Sequence, residues 1–321
     1  MINKTDLKLS RLSNMAKRVV AVVVLAAVFC VAPAAIARAA DEADPGLSDL
    51  PGAYDELNKA NEALKQRIKD LETIIKLNVD EAEGIAVLLY HHIVNEKDMT
   101  EENRKNGNII STELFTEHMK YLHDNKYYTA SVEELEQYIA GKSILPEKTV
   151  VITFDDGYRS NTKYCYPILK KYGFKATIFL ITGLIGEKEN VIEHASWNDM
   201  KKCADVFSYS SHSHNMHTQD KNGKSLFVTS TTSEVRRDLL LSRGAIDSRY
   251  FAYPYGQSSE GTISALRRTG YRMAFTTEAG YVRKQANVFD LPRYALSMET
   301  SVEAFADIIG GAGNAGETSG N

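Results

Sequence analysis

From Gly84 to about residue 310, short apolar runs alternate with stretches of helical periodicity, and nothing else in the chain restricts its fold as strongly. The runs cover 84–93, 150–154, 175–181, 206–210, 250–253 and 273–277, with a last one near 288–294. Between them lie helical segments at about 112–125, 132–140, 160–172, 197–203, 233–246 and 260–269, and a helix at 301–310 closes the series. Ser131-Val132-Glu133-Glu134 has the spacing of a capping box. The first run is apolar on both faces, as a strand covered by helices on either side must be. Regular strand–helix alternation predicts an α/β fold built on a parallel sheet. Seven or so strands predict a closed or nearly closed barrel, whose site lies at the C-terminal ends of the strands.

The residues at those ends carry the chemistry. The run Val150-Val151-Ile152-Thr153-Phe154 terminates in Asp155-Asp156-Gly157. Two carboxylates at the end of a buried strand are costly unless something uses them, and Gly157 permits a sharp turn there. A helix N-cap would account for one of the two. After 206–210 comes Ser211-His212-Ser213-His214-Asn215-Met216-His217, a metal-ligand cluster by residue type. Spacing leaves the pair open. His214 and His217 can share a helix face, whereas His212 and His217 would have to converge from a loop. Either pair with one Asp makes a two-histidine, one-carboxylate site with open positions. Phe251-Ala252-Tyr253-Pro254-Tyr255-Gly256 ends another strand, and a rigid turn of this kind can aim a backbone N–H at a developing oxyanion.

The flanks differ in character. Residues 1–40 carry Lys4, Lys8, Arg11, Lys17 and Arg18, an apolar run from Val19 to Ala32, and then Ala37-Arg38-Ala39. This reads as a secretory signal, with a retained membrane anchor as the alternative, and predicts an extracellular or cell-surface protein. Without that segment, 32 of the 38 basic and 41 of the 42 acidic residues remain, a net charge of −9 that argues against nucleic acid as a partner. Residues 41–53 read as a linker. In 54–79, Leu57, Leu64 and Leu71 fall at heptad d positions, and Asn61, Ile68 and Ile75 at a positions. That pattern suits a parallel two-stranded coiled coil and hence a homodimer through 54–78; a single packed amphipathic helix is the alternative. Residues 311–321 are Gly-rich and expected to be disordered. Of the three cysteines, Cys30 falls in the signal, and Cys165 and Cys203 are expected as small buried side chains rather than a disulfide.

Taken in order, Thr153-Phe154-Asp155-Asp156-Gly157, Ser211-His212-(x4)-His217 and Phe251-Ala252-Tyr253-Pro254-Tyr255-Gly256 resemble the motifs of the polysaccharide deacetylases of the NodB-homology group, carbohydrate esterase family 4. Leu89-Tyr90-His91-His92-Ile93 and Leu291-Pro292-Arg293 look like the branch that includes poly-N-acetylglucosamine deacetylases. The resemblance covers roughly 85–310, and the three motifs together are highly specific. It implies a distorted (β/α)7 barrel over 84–310 and removal of N-acetyl groups from N-acetylglucosamine units of a cell-wall or extracellular polysaccharide, with release of acetate. It also implies that Asp156, His212 and His217 hold one divalent cation, for which Zn2+ is the expectation. Asp155 would be the general base, the Tyr255 backbone N–H would stabilise the oxyanion, and His214 would stand outside the ligand set.

Two family features are missing from their usual places. Ala252 and Tyr253 stand where an arginine orients the base in many members, so Arg293 is the expected substitute, with Arg159 second. No histidine follows His217, so the acid that protonates the leaving amine is assigned to His91. Only one of His91 and His92 should face the site, because neighbours on a strand alternate. Two rival functions share these residues: a metal-dependent hydrolase of a non-glycan amide, and a non-catalytic glycan-binding or scaffold protein.

Overall fold

Thirteen strands and nine α-helices occupy the described residues, which in this computed structural model are 61–62, 65–66, 80–189 and 192–311. The strands are β1 (Ile85–Tyr90), β2 (His92–Val94), β3 (Ile109–Ser111), β4 (Tyr128–Thr129), β5 (Thr149–Phe154), β6 (Ala176–Leu180), β7 (Lys188–Glu189), β8 (Ile192–Glu193), β9 (Phe207–Ser211), β10 (Tyr250–Ala252), β11 (Met273–Phe275), β12 (Tyr281–Val282) and β13 (Tyr294–Ala295). The helices are α1 (Glu101–Lys105), α2 (Thr112–Asp124), α3 (Val132–Ile139), α4 (Tyr166–Tyr172), α5 (Trp197–Lys202), α6 (Leu226–Thr229), α7 (Thr232–Ala245), α8 (Glu260–Arg268) and α9 (Val302–Gly310).

The main sheet runs β11-β10-β9-β6-β5-β1 with every neighbouring pair parallel. The chain then closes most of the gap between the two edges. The Ala274 N–H donates to the Val288 carbonyl and the Thr276 N–H to the Leu291 carbonyl, both at 2.8 Å. A few residues later β13 pairs parallel with β1, Leu88 opposite Tyr294. The result is the expected distorted (β/α) barrel.

Alternation along the strands sorts their side chains. Val87, Val151, Phe179, Phe275 and Leu291 form one cluster with Val132, Leu135 and Ile139 of α3. Leu88, Ile152 and Ile178 point the other way, onto Phe115 of α2, Leu169 of α4 and Phe305 of α9. A third cluster packs Phe251 and Ala274 beneath α7 and α8 through Val235, Leu239 and Leu266. Ser131 caps α3 in a complete capping box with Glu134, as its spacing predicts.

Several elements depart from the expectation. The run 84–93 is two strands broken at His91, because the His92 N–H turns to the Asn108 carbonyl (3.0 Å) and β2 pairs with β3 instead of continuing on β5. The 94–109 loop contains α1. The 160–172 segment opens with a π-helical turn, Asn161–Cys165, before α4. The last run keeps regular pairing only at β13, since Pro292 interrupts it. The short β7–β8 hairpin and the antiparallel β12 add strands. Cys165 and Cys203 are buried free thiols.

Residues from Glu81 onward form one compact unit. The signal at 1–40, the linker at 41–53 and the tail beyond Gly311 lie outside the described residues, as does most of 54–79, of which 61–62 and 65–66 are helical. Among the described residues, no helix is long and apolar enough to cross a membrane.

Candidate active site

β5 carries the first two functional side chains out of the barrel. Asp155 still donates its N–H to the Tyr90 carbonyl at 2.9 Å, as a continuing strand would. Asp156 and Gly157 then take φ of 68° and 75°, and the chain doubles back. The φ of Gly157 favours glycine, and a Cβ there would also press on the tip of Leu180 (Cδ2 at 2.7 Å). Ser213 (φ 74°) and Tyr255 (φ 58°) share the left-handed conformation, so all three turns singled out from sequence hold a strained non-glycine residue. Each costs about 1–3 kcal/mol, a cost found where surrounding structure enforces a particular geometry.

The Asp155 carboxylate points into the barrel and meets Arg293. Nη1 and Nη2 of the guanidinium donate to Oδ1 and Oδ2, both at 2.7 Å, and Nε donates to the Thr276 carbonyl at 2.9 Å. Arg293 is fully buried over the rings of Phe179 and Phe275. Burial alone would raise the Asp155 carboxyl, but Arg293 first and then His212 hold it down at about 2. Asp155 is therefore an ionised carboxylate fixed in one orientation. Arg159, the second candidate for this role, lies on the surface bound to Glu193 (2.6 Å) and near Asp199, its guanidinium engaged there rather than at Asp155.

Asp156 faces the other way. Its Oδ1 lies 3.3 Å from His217 Nε2 and 3.5 Å from His212 Nε2. One ligand atom from each of the three residues falls within 4.8 Å of the other two, which selects His212 and His217 from the histidine cluster. His212 Nδ1 donates to the Ala252 carbonyl at 2.8 Å, which leaves the Nε2 lone pair for the site. Burial lowers the His212 pKa to about 4, so the ring is neutral at physiological pH. Asp156 Oδ1 is buried and has no hydrogen-bond partner among the described residues. An orphaned carboxylate oxygen beside two converging imidazoles fits a divalent first-row cation, and the His212 Nδ1–H to carbonyl bond is the usual support for a ligating histidine. Burial pushes the Asp156 carboxyl up, while His217, His91 and His212 hold it below its ordinary value.

The loop bearing His217 is fastened from below. Buried Asp238 of α7 accepts the His214 N–H (2.8 Å) and the Asn215 N–H (2.7 Å). His214 itself turns to Thr182 Oγ1 (3.0 Å) and stays out of the donor set. The segment is an irregular turn, so the helix-face pairing of His214 with His217 does not arise. Tyr255 is 38% exposed and stacks on the His217 ring at 4.5 Å. His91, at the break between β1 and β2, is near enough to both carboxylates to lower their pKa values. His92 points elsewhere, its Nδ1 3.0 Å from Ser160 Oγ. Sequence reasoning missed His194, whose Nδ1 donates to the Asp156 carbonyl (3.1 Å) and steadies the strained turn; no motif or period marks it.

A family model described as polysaccharide deacetylase matches residues 142–274. That span includes Asp155, Asp156, His212, His217 and Tyr255, but neither His91 nor Arg293. The protein YxkH of Bacillus subtilis (strain 168), named for the same family, is 30% identical over 281 residues, covering 86% of this chain and 93% of its own length. The poly-beta-1,6-N-acetyl-D-glucosamine N-deacetylase of Staphylococcus aureus (strain MRSA252) is 30% identical over 200 residues, 59% of this chain and 68% of the relative. Among solved structures, IcaB from Ammonifex degensii superposes with a TM-score of 0.64 at 26% identity, over 72% of this chain and 98% of IcaB.

Proposed function

This chain belongs to the polysaccharide deacetylase family, and on that premise we propose that it is an exported, metal-dependent enzyme removing N-acetyl groups from N-acetylglucosamine units of a cell-wall or extracellular polysaccharide. The observation that carries the proposal is the division of labour between neighbouring carboxylates: Asp155 locked on Arg293, and Asp156 open toward two imidazoles. The basic and apolar start of the chain supports export to the cell surface.

Asp156, His212 and His217 would hold the cation, and their one-oxygen, two-nitrogen set suits Zn2+. When bound, it supplies Lewis acidity toward the acetamide oxygen and a water. Asp155, ionised and held by the Arg293 fork, takes the proton of the attacking water as the new C–O bond forms. The Tyr255 backbone N–H, presented by its left-handed turn, donates to the oxyanion. His91 gives a proton to the nitrogen as the C–N bond breaks, so that acetate and a free amine leave. At neutral pH that amine is cationic, and the polymer gains positive charge.

The direct test is acetate release by the purified chain from peptidoglycan, poly-N-acetylglucosamine and chitin-like polymer, with and without chelator, against small N-acyl amides. Chelator-sensitive release from a polymer is expected. Release only from small amides would overturn the substrate assignment, and release indifferent to chelator would overturn the metal.

A further inference from the structure

We propose that the cavity beside His92 is a second saccharide subsite, which binds a neighbouring pyranose of the same polymer while one unit occupies the reaction centre; the proposal rests on the glycan reading above. Two cavities adjoin the strand ends. One, about 200 Å³, is lined by Asp156, His217 and His194 and is the reaction groove. The other, about 270 Å³, is lined by His92, Asn95, Asp98, Arg159, Lys163 and Glu193, and the mechanism uses none of these residues. Tyr158, in the wall of the reaction groove, packs against His92 of the second cavity. The Tyr158 ring lies 5.1 Å from His92 on one side and 5.4 Å from His194 on the other, centroid to centroid. Strand β8 contributes to both cavities: Ile192 lines the reaction groove and its neighbour Glu193 lines the second cavity, as alternation along a strand requires. At the break after β1, His92 lines the second cavity, its Nδ1 3.0 Å from Ser160 Oγ.

The lining selects the class of ligand. Arg159 and Lys163 donate, Asp98 and Glu193 accept, and Asn95 does both. An anion would meet the two acids, and an apolar group would strip water from four charges. A neutral polyol, whose hydroxyls are donors and acceptors at once, meets both kinds of partner. Part of the ring is already held in place, since Arg159 is fixed by Glu193 at 2.6 Å and His92 lies 3.0 Å from buried Ser160. The Asn95 side chain precedes a 3-10 turn without capping it and makes no hydrogen bond among the described residues, so it is free to bind.

The test compares acetate release from N-acetylglucosamine and from its two-, four- and six-unit oligomers, for the full chain and for Asn95→Ala, Lys163→Ala and the cavity-filling Asn95→Trp. In the parent chain kcat/KM should rise with oligomer length. In the variants the ratio of six-unit to single-unit kcat/KM should fall about ten-fold, the scale of one or two lost hydrogen bonds, through KM rather than kcat. A ratio that none of the three changes overturns the subsite, as does a parent chain indifferent to length. Calorimetric binding of the six-unit oligomer separates the two assignments. Binding that depends on Asn95 without acetate release would overturn the deacetylase reading and keep the subsite; acetate release without that dependence would do the reverse.

Discussion

Arg293→Met would remove the guanidinium from Asp155 while filling much of the same buried space. The Asp155 carboxyl sits at about 2 against an ordinary 3.8. At 1.36 kcal/mol per pKa unit, its charged surroundings thus outweigh burial by about 2 kcal/mol. Without Arg293 that gain is lost and burial stands largely unopposed at pH 7, where His212 is neutral, so the total cost should reach about 3–5 kcal/mol, the range for deleting one partner of a buried pair. Asp155→Asn alone should also be costly, because it leaves the Arg293 charge facing an amide. The double variant buries no uncompensated charge, so Asp155→Asn made in the Arg293→Met background should restore stability instead of lowering it further. Urea unfolding followed by far-UV circular dichroism at pH 7, with unchanged slopes, measures the cycle. The pH dependence has a definite sign. A depressed carboxylate pKa stabilises the fold above its unfolded value and ceases to do so as pH falls through the folded value. The gap between the parent chain and Arg293→Met should therefore be widest above pH 3.8 and narrow toward pH 2. Additive losses in the double variant, or a gap that widens in acid, would refute the reasoning.

Three further outcomes are expected from the site. Asp155→Asn should lower kcat by about 10²–10⁴-fold with metal retained, whereas Asp156→Asn should weaken the metal itself by at least about ten-fold, read by competition with a chromogenic chelator; equal metal affinities would erase the distinction between the two carboxylates. His91→Ala should reduce turnover by about 10²–10⁴-fold without releasing metal, and near-normal turnover would remove His91 as the acid. Asp238→Ala takes away both backbone anchors of the His217 loop and should lower metal affinity by about 10–100-fold in the same competition assay; undiminished affinity would leave the loop's geometry to its other contacts.

β1, β5 and β6 were legible because each is a continuous run of apolar or β-branched residues, and Asp155 and Asp156 follow β5 directly; β9, with three serines, is a weaker run. Asp155 and Asp156 needed only the rule that barrel sites gather at C-terminal strand ends, and the same rule pointed to the histidine cluster after β9 without choosing its members. The choice between His212 and His214 was not legible from spacing, because it depends on an irregular turn fastened by Asp238, more than twenty residues away. Arg293 reached the expectation through family resemblance alone; a pairing across 138 positions leaves no periodic trace. The π-helical turn at Asn161–Cys165 shares the apolar spacing of an α-helix and differs only in its hydrogen bonds. The two-residue strands β7 and β8 are too short to show any alternation. The break at His91 came from pairing with β3, a competition decided in three dimensions.

The closure of the barrel by 288–295 has a consequence for the order in which the chain becomes active. Asp156, His212 and His217 all precede Arg293 in the chain, as do Asp238, which fastens the His217 loop, and Ala252, whose carbonyl holds His212. The base is not oriented until the segment carrying Arg293 docks between β11 and β1. Such a long-range closure forms late, because the loop entropy of bringing distant segments together is spent before their contacts return anything. A chain cut before Arg293 keeps these ligand residues but loses the guanidinium that gives the Asp155 carboxylate its direction.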